Sequence, residues 1–259
     1  MEFSAESIRK HLKHPGLIVE VYDSVDSTNT LLKARGYSGA PHGLVIAAAH
    51  QTHGRGRMGR SFYSPDHTGT YFSILLRPDL SPTNSLLITT AAAVACARAI
   101  EHISGKKAEI KWVNDIYVDG KKVCGILTEA ALATDGKHLN FAVLGIGMNL
   151  HSPAGGFPEE IRDRAGSLFS HEQKDRRTEL IAEVLNEFFT IYPELENRSF
   201  TDEYRSRSML DGKPVNVIKA NQILPATALY IAEDLTLVVQ YSNGSIEHLS
   251  SGDVSIRTL

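Results

Sequence analysis

The residues best suited to chemistry lie in one stretch, Gln51-Thr52-His53-Gly54-Arg55-Gly56-Arg57-Met58-Gly59-Arg60, which sets three arginines among three glycines. Arginine presents a planar fork of donors that fits phosphate and carboxylate, and glycine lets backbone amides approach a ligand closely. The combination reads as an anion-binding loop, against the simpler reading of a solvated surface loop. Its spelling also fits the dinucleotide pattern G-x-G-x-x-G, but such a turn must open a helix, and residues 61–69 are turn-rich. No Gly-Lys-Ser/Thr ending makes it a P-loop. The arginines must therefore carry the binding, and a loop so rich in glycine and like charge is expected to be loose until a ligand orders it.

A second group is Lys111-Trp112-Val113-Asn114-Asp115, at the end of a strand otherwise suited to burial. A lone lysine is commonly a snorkelling surface residue. Beside an Asn-Asp turn it could instead reach a carboxylate and a phosphate together and offset their charge during attack of one on the other. Asn149, after Gly145-Ile146-Gly147-Met148, stands where a glycine-rich strand lets a ligand come close; with Asn114 and Asp115 it offers polar groups for a nucleotide or magnesium. His50, His53 and His67 lack matching carboxylates and are a weak metal signal, so no protein metal ligand is assigned.

The elements that must position these groups follow from hydrophobic periodicity. Residues 4–13 suit a short helix and residues 17–22 a strand. The hydroxyl and carboxyl cluster of residues 23–30 suits the N-cap of a helix over residues 30–35. Residues 43–49 and 69–76 read as buried strands and residues 86–103 as a nearly fully buried helix. Strands follow at residues 108–113, 116–118, 123–129 and 139–147, with a hairpin signal at Asp119-Gly120. Residues 152–166 suggest loop with a short helix, and residues 175–191 and 199–209 a helical layer. The expected architecture is α+β, a mixed or antiparallel sheet with helices on one face. From Asp211 the pattern changes to short strands separated by turns, a small β-barrel, so that domains of residues 1–210 and 211–259 are expected.

A net charge of -3 with 42% apolar and 22% charged residues is ordinary for a globular protein and gives no global attraction to nucleic acid or membrane. Cys96 and Cys124 lie in apolar stretches and read as reduced core thiols. With no apolar signal core and no run approaching a membrane span, the expected location is the cytoplasm.

Five ordered motifs make the reading specific. Ser27-Thr28-Asn29, Gln51-x-x-Gly54-Arg55-Gly56-Arg57-x-Gly59-Arg60, Lys111-Trp112-x-Asn114-Asp115, Gly125-Ile126-Leu127-x-Glu129 and Gly145-Ile146-Gly147-x-Asn149 together resemble the biotin protein ligases. Residues 251–257 resemble the end of their small SH3-like domain. The resemblance covers nearly the whole chain and implies a class II synthetase-like catalytic domain followed by that SH3-like barrel. It implies activation of biotin with ATP and Mg2+ to biotinyl-5'-AMP, then transfer to one lysine of a biotin carboxyl carrier domain.

Carried over, Ser27, Thr28, Asn29, Gln51, Gly54, Arg55, Lys111 and Gly125 would line the biotin site. Arg57, Arg60, Phe62, Asn114, Asn149 and Arg257 would face the nucleotide, with Lys111 and Arg57 catalytic. Phe62 stands where the family usually has tryptophan and offers an aromatic face to adenine. With no DNA-binding segment ahead of the motifs, the resemblance is to monofunctional members that bind no operator DNA. An exposed strand edge could serve a homodimer. The rivals are a lipoate-protein ligase, whose family typically carries a paired-arginine, glycine-triplet loop, and a nucleic-acid-binding module, which would need a long basic stripe.

Overall fold

The computed structural model describes residues 3–170, 175–219, 222–250 and the backbone of 253–256. Ser4 caps α1 (Ala5–Arg9), which is shorter than its sequence pattern, and β1 (Ile18–Val25) follows. The hydroxyl–carboxyl cluster does cap a helix: the Ser27 side chain accepts from the amide of Thr30, so α2 (Thr28–Tyr37) starts two residues earlier than expected. β2 (Leu44–Gln51) runs parallel to β1. β3 (Gly69–Leu76) leads to α3 (Leu86–Ser104), closed by Gly105 at φ 70°.

Next come β4 (Glu109–Lys111), β5 (Asp115–Val118), β6 (Lys121–Leu132) and β7 (Leu139–Asn149). Asp119 and Gly120, both at positive φ, make the tight hairpin between β5 and β6. α4 (Arg177–Ile191) and α5 (Thr201–Ser206) complete this part. Its seven strands lie in the order β1-β2-β3-β7-β6-β5-β4, all antiparallel except β1 with β2.

That parallel pair explains where the helices go. Two parallel neighbours need a crossover, and α2 supplies it by packing on the sheet face opposite α1, α3 and α4. On the α3 side, Val45, Phe72, Ile74, Leu144 and Ile146 join one large core; on the α2 side, Ile46, Leu75, Phe141 and Val143 close over Leu32. Burial of Leu32 alone stabilises this layer by about 1.5–3 kcal/mol. α2 is short, so it covers only the β2, β3 and β7 part of its face. The rest of that face stays open.

By length and composition alone, Pro82–Ser104 is long and apolar enough to cross a membrane, which corrects the sequence reading. Of its most apolar 18-residue window 72% is buried inside the protein, as befits the central core helix. Cys96, on this helix, and Cys124, on β6, are free buried thiols; burial, with the Cys124 thiol beside it, pushes the Cys96 thiol well up.

A second sheet holds β8 (Pro214–Lys219), β9 (Gln222–Ile231), β10 (Leu237–Tyr241), β11 (Ile246–Leu249) and β12 (Asp253–Ile256), ordered β11-β10-β9-β8-β12 and antiparallel throughout. Its Val215, Val217 and Leu237 belong to the same continuous core as α3. The buried indole of Trp112 donates to the Leu235 carbonyl at 2.9 Å.

Candidate functional site

The open part of the α2 face has a glycine floor. In the β6–β7 register Gly125 stands opposite Gly147, and Leu127 opposite Gly145. Strand alternation turns all four toward α2. None has a positive φ, so what they supply is space. A Cβ on Gly145 would fall 1.9 Å from Asn29 Oδ1, and one on Gly147 2.6 Å from the Phe62 ring; on Gly125 it would be 3.1 Å from that ring. Asn29 and Phe62 thus lie directly on backbone. Beside Phe62, on the neighbouring strand, burial pushes the Tyr71 phenol up to about 12, so it stays a neutral donor, to the Pro65 carbonyl at 3.0 Å.

The first turn of α2 forms one wall. Gln51 Oε1 accepts from the Thr28 amide at 2.9 Å and from its hydroxyl at 3.2 Å, while Gln51 Nε2 donates to Ser64 Oγ at 3.0 Å. The Ser73 hydroxyl lies 2.8 Å from Thr28 Oγ1 and 2.6 Å from Asn29 Oδ1. Asn29 Nδ2 donates to Glu129 Oε2 at 3.1 Å. Asn29 and Gln51 therefore have both ends of their amides engaged by the protein, a connected network that fixes the wall.

The arginine loop forms the roof. Its backbone is more self-bonded than its composition suggests. Gly56 N donates to the Arg60 carbonyl at 2.7 Å, Arg60 N to the Arg57 carbonyl at 3.1 Å, and Phe62 N to the Gly54 carbonyl at 2.8 Å. Met58 takes a left-handed φ of 55° at the tip. Gly54, expected to line the biotin site, lies outside the cleft. It is glycine because a Cβ there would meet the Phe62 carbonyl at 2.3 Å and Ser64 Oγ at 2.5 Å. Arg57 Nη1 donates to Asn114 Oδ1 at 3.1 Å, and Arg55 Nη2 meets Glu129 Oε1 at 3.2 Å. Arg60 is exposed at the rim.

The far wall is the turn after β4. Lys111 faces the cleft, while Trp112 and Val113 are buried behind it. The buried Tyr204 hydroxyl donates to the Val113 carbonyl at 3.0 Å, and Asn114 Nδ2 donates to the Ile126 carbonyl at 2.6 Å. Asp115 pairs with Lys122 at 2.5 Å. Asn149 Nδ2 donates to the Gly166 carbonyl at 3.0 Å, which ties the floor to a segment where Phe157, Ile161, Arg164 and Ala165 also line the cleft.

The cleft encloses about 220 Å³ and gathers Ser27, Thr28, Asn29, Gln51, Arg55, Arg57, Arg60, Phe62, Lys111, Asn114, Gly125 and Asn149, all expected from sequence. Arg257 lies outside the described residues. Lys122 and the 157–165 wall were missed. The lysine had a signal, since the Asp119-Gly120 hairpin sets the strand carrying it beside the one carrying Asp115. In a protein of net charge -3, the cleft is lined by six cations (Arg55, Arg57, Arg60, Lys111, Lys122 and Arg164) and one carboxylate, Asp115. Such a lining favours a ligand with several negative charges. The histidines hold local contacts, His50 with Ser24, His53 with Thr52 and His67 with Asp66. Among the described residues no group of three or more His, Cys, Asp or Glu is placed to hold a metal.

Known proteins resemble this chain in sequence and fold. The model of the biotin/lipoate A/B protein ligase family matches residues 21–149. The bifunctional ligase/repressor BirA of Bacillus subtilis is 31% identical over 239 residues, which cover 91% of this chain and 73% of that protein. The biotin–acetyl-CoA-carboxylase ligase of Mycobacterium tuberculosis is 31% identical over 207 residues, 77% of this chain and 74% of that one. The solved biotin protein ligase from Aquifex aeolicus in complex with biotin and ATP matches with a TM-score of 0.76 and 28% identity, covering 92% of this chain and 98% of that chain. With the motifs converging on one cleft and relatives of this extent, the chain belongs to the biotin/lipoate A/B protein ligase family.

Proposed function

We propose that this chain is a biotin protein ligase, which joins biotin to ATP as biotinyl-5'-AMP with release of pyrophosphate and passes the biotinyl group to a lysine of a biotin carboxyl carrier domain. Residues 1–210 would carry the reaction and residues 211–259 form the smaller companion. The observation that carries the reading is the cleft lined by six cations and one carboxylate over a floor of glycines. A carboxylate attacking a phosphate of like charge must have both neutralised and held in line. Lys111, facing the cleft, neutralises the biotin carboxylate and the α-phosphate together. Arg57, held by Asn114, covers the phosphate side, and Arg60 and Asn149 flank the nucleotide. The Phe62 ring supplies an apolar face.

Magnesium enters as MgATP, a substrate. The bicycle of biotin fits between the α2 turn, Gln51 and Arg55, where the fixed amide network gives a shaped wall. In the second step the lysine amine of the carrier attacks the acyl carbon of the adenylate, AMP leaves, and the amine proton passes to solvent.

The test is pyrophosphate release from MgATP. It should require biotin and be followed by labelling of a carrier domain. Equal release with lipoate in place of biotin, or none with biotin, would overturn the assignment.

A further inference from the structure

We infer that Glu129 is a positioning residue that latches the arginine loop to the first turn of α2 and so sets how long the cleft retains its activated intermediate. The inference rests on the proposed ligase reading. Glu129 does not line the cleft, yet its side chain is only 15% exposed. Its Oε1 meets Arg55 Nη2 at 3.2 Å and Lys33 Nζ at 3.3 Å, while Oε2 accepts from Asn29 Nδ2 at 3.1 Å.

Those partners belong to separate parts of the site. Arg55 is in the roof, Asn29 and Lys33 are on α2, and Glu129 itself sits on β6 beside the glycine floor. One carboxylate therefore joins roof, wall and floor. A partly buried carboxylate would be poorly solvated without these cations, so the three parts hold one another in register.

The Arg55 guanidinium is thereby committed to Glu129. Its side chain acts as a strut, while the backbone it carries leads to Arg57 at the cleft roof. The loop's own backbone hydrogen bonds move with it, its base is fixed where the Thr52 and His53 amides donate to the Val25 and Asp26 carbonyls, and at its tip Arg57 donates to Asn114. Removing the latch should let the roof lift as a unit and shorten the life of anything held beneath it, with little effect on the chemical step.

The experiment forms labelled biotinyl-5'-AMP on the enzyme and follows its escape during a chase with unlabelled ligand. Glu129→Gln keeps the size and the hydrogen bond to Asn29 but loses both ion pairs, so escape should accelerate on the order of tenfold, the worth of one charge-assisted bond. Arg55→Gln should also accelerate escape, by at least as much because Arg55 walls the biotin pocket as well, and the double variant should fall short of the product of the two single effects, because both break the Arg55–Glu129 pair. Multiplicative effects, or normal retention in a folded Glu129→Gln protein, would overturn the latch.

Should Glu129→Gln fail to fold, Glu129→Asp keeps the charge but shortens the reach, and should show the same faster escape. Trypsin cleavage after Arg57 and Arg60 in ligand-free protein gives an independent readout. It should rise in Glu129→Gln, and equal cleavage refutes the latch. If the wild type forms no adenylate, the ligase reading fails and the trypsin comparison still decides the role of Glu129.

Discussion

Gly147→Ala probes whether the glycine floor is a bed for ligand. The added methyl would lie 2.6 Å from Phe62 Cε1 and 2.9 Å from Cδ1 and Cζ. Carbon atoms in good contact sit near 3.5 Å, so the ring must withdraw by roughly 0.9 Å. The ring is the far end of a side chain on a surface loop and can move. Overpacking should then cost the free protein only about 1 kcal/mol, partly offset by the lower unfolded entropy of alanine. Melting should shift by a few degrees at most.

A ligand cannot accommodate the change as easily, because the floor has risen by a methyl and the shifted ring narrows the space above it. A loss of about 1–3 kcal/mol, roughly five- to 150-fold in affinity, should appear in calorimetric titration with biotin and with a non-hydrolysable adenylate analogue. Gly145→Ala is the contrast. Its Cβ would fall 1.9 Å from Asn29 Oδ1, and Asn29 is 4% exposed and bonded at both ends of its amide. That variant should lose folding stability as well as binding. Wild-type affinity in Gly147→Ala would show that ligand does not lie on this floor, and a Gly145→Ala protein of normal stability would refute the network argument.

Lys111→Ala should fold normally and lose on the order of 10²-fold or more in the rate of biotin-dependent pyrophosphate release, read by single-turnover kinetics; near-normal turnover would return Lys111 to a surface role. Arg57→Gly removes the 3.1 Å bond to Asn114 and one cation of the roof, so adenylate should escape and label bystander lysines in solution, detected by blotting an added inert protein. Tight retention in that variant would remove Arg57 from the roof function. Away from the site, hydrogen bonds from the Arg207 guanidinium hold the Glu101 carboxyl below its ordinary 4.5. A depressed carboxylate contributes stability above its unfolded value and loses it as pH falls through the folded one. The melting deficit of Arg207→Ala should therefore be present at neutral pH and shrink below about pH 4; a deficit independent of pH would refute this.

Elements governed by local periodicity were legible before the structure. The strand at Gly69–Leu76 and the core helix at Leu86–Ser104 match the pattern to within a residue, because both are apolar along their length and bounded by turn signals. The Ser27 cap was legible in kind, and misplaced only because several neighbouring hydroxyls could cap equally well. The crossover of α2 to the opposite face was not legible, since the parallel pairing of β1 with β2 depends on contacts that no local pattern encodes. β4 ends at Lys111 although Trp112 and Val113 continue the apolar run, because those two side chains turn back into the core. In the site, residue types announced the loop and the lysine turn. The roles of Gly54 and Glu129 became visible only with partners in place, the one set by a carbonyl eight residues on and the other by cations on two separate elements.

The backbone between Lys111 and Asn114 is held from behind by Tyr204, through the Val113 carbonyl, and by Leu235, through the Trp112 indole. Both anchors arrive late in synthesis, 91 and 123 residues after the groups they hold. A growing chain could assemble the loop and the glycine floor and still lack a fixed lysine turn. Competence would therefore come as the last strands dock, which guards against release of a reactive acyl adenylate by an unfinished protein.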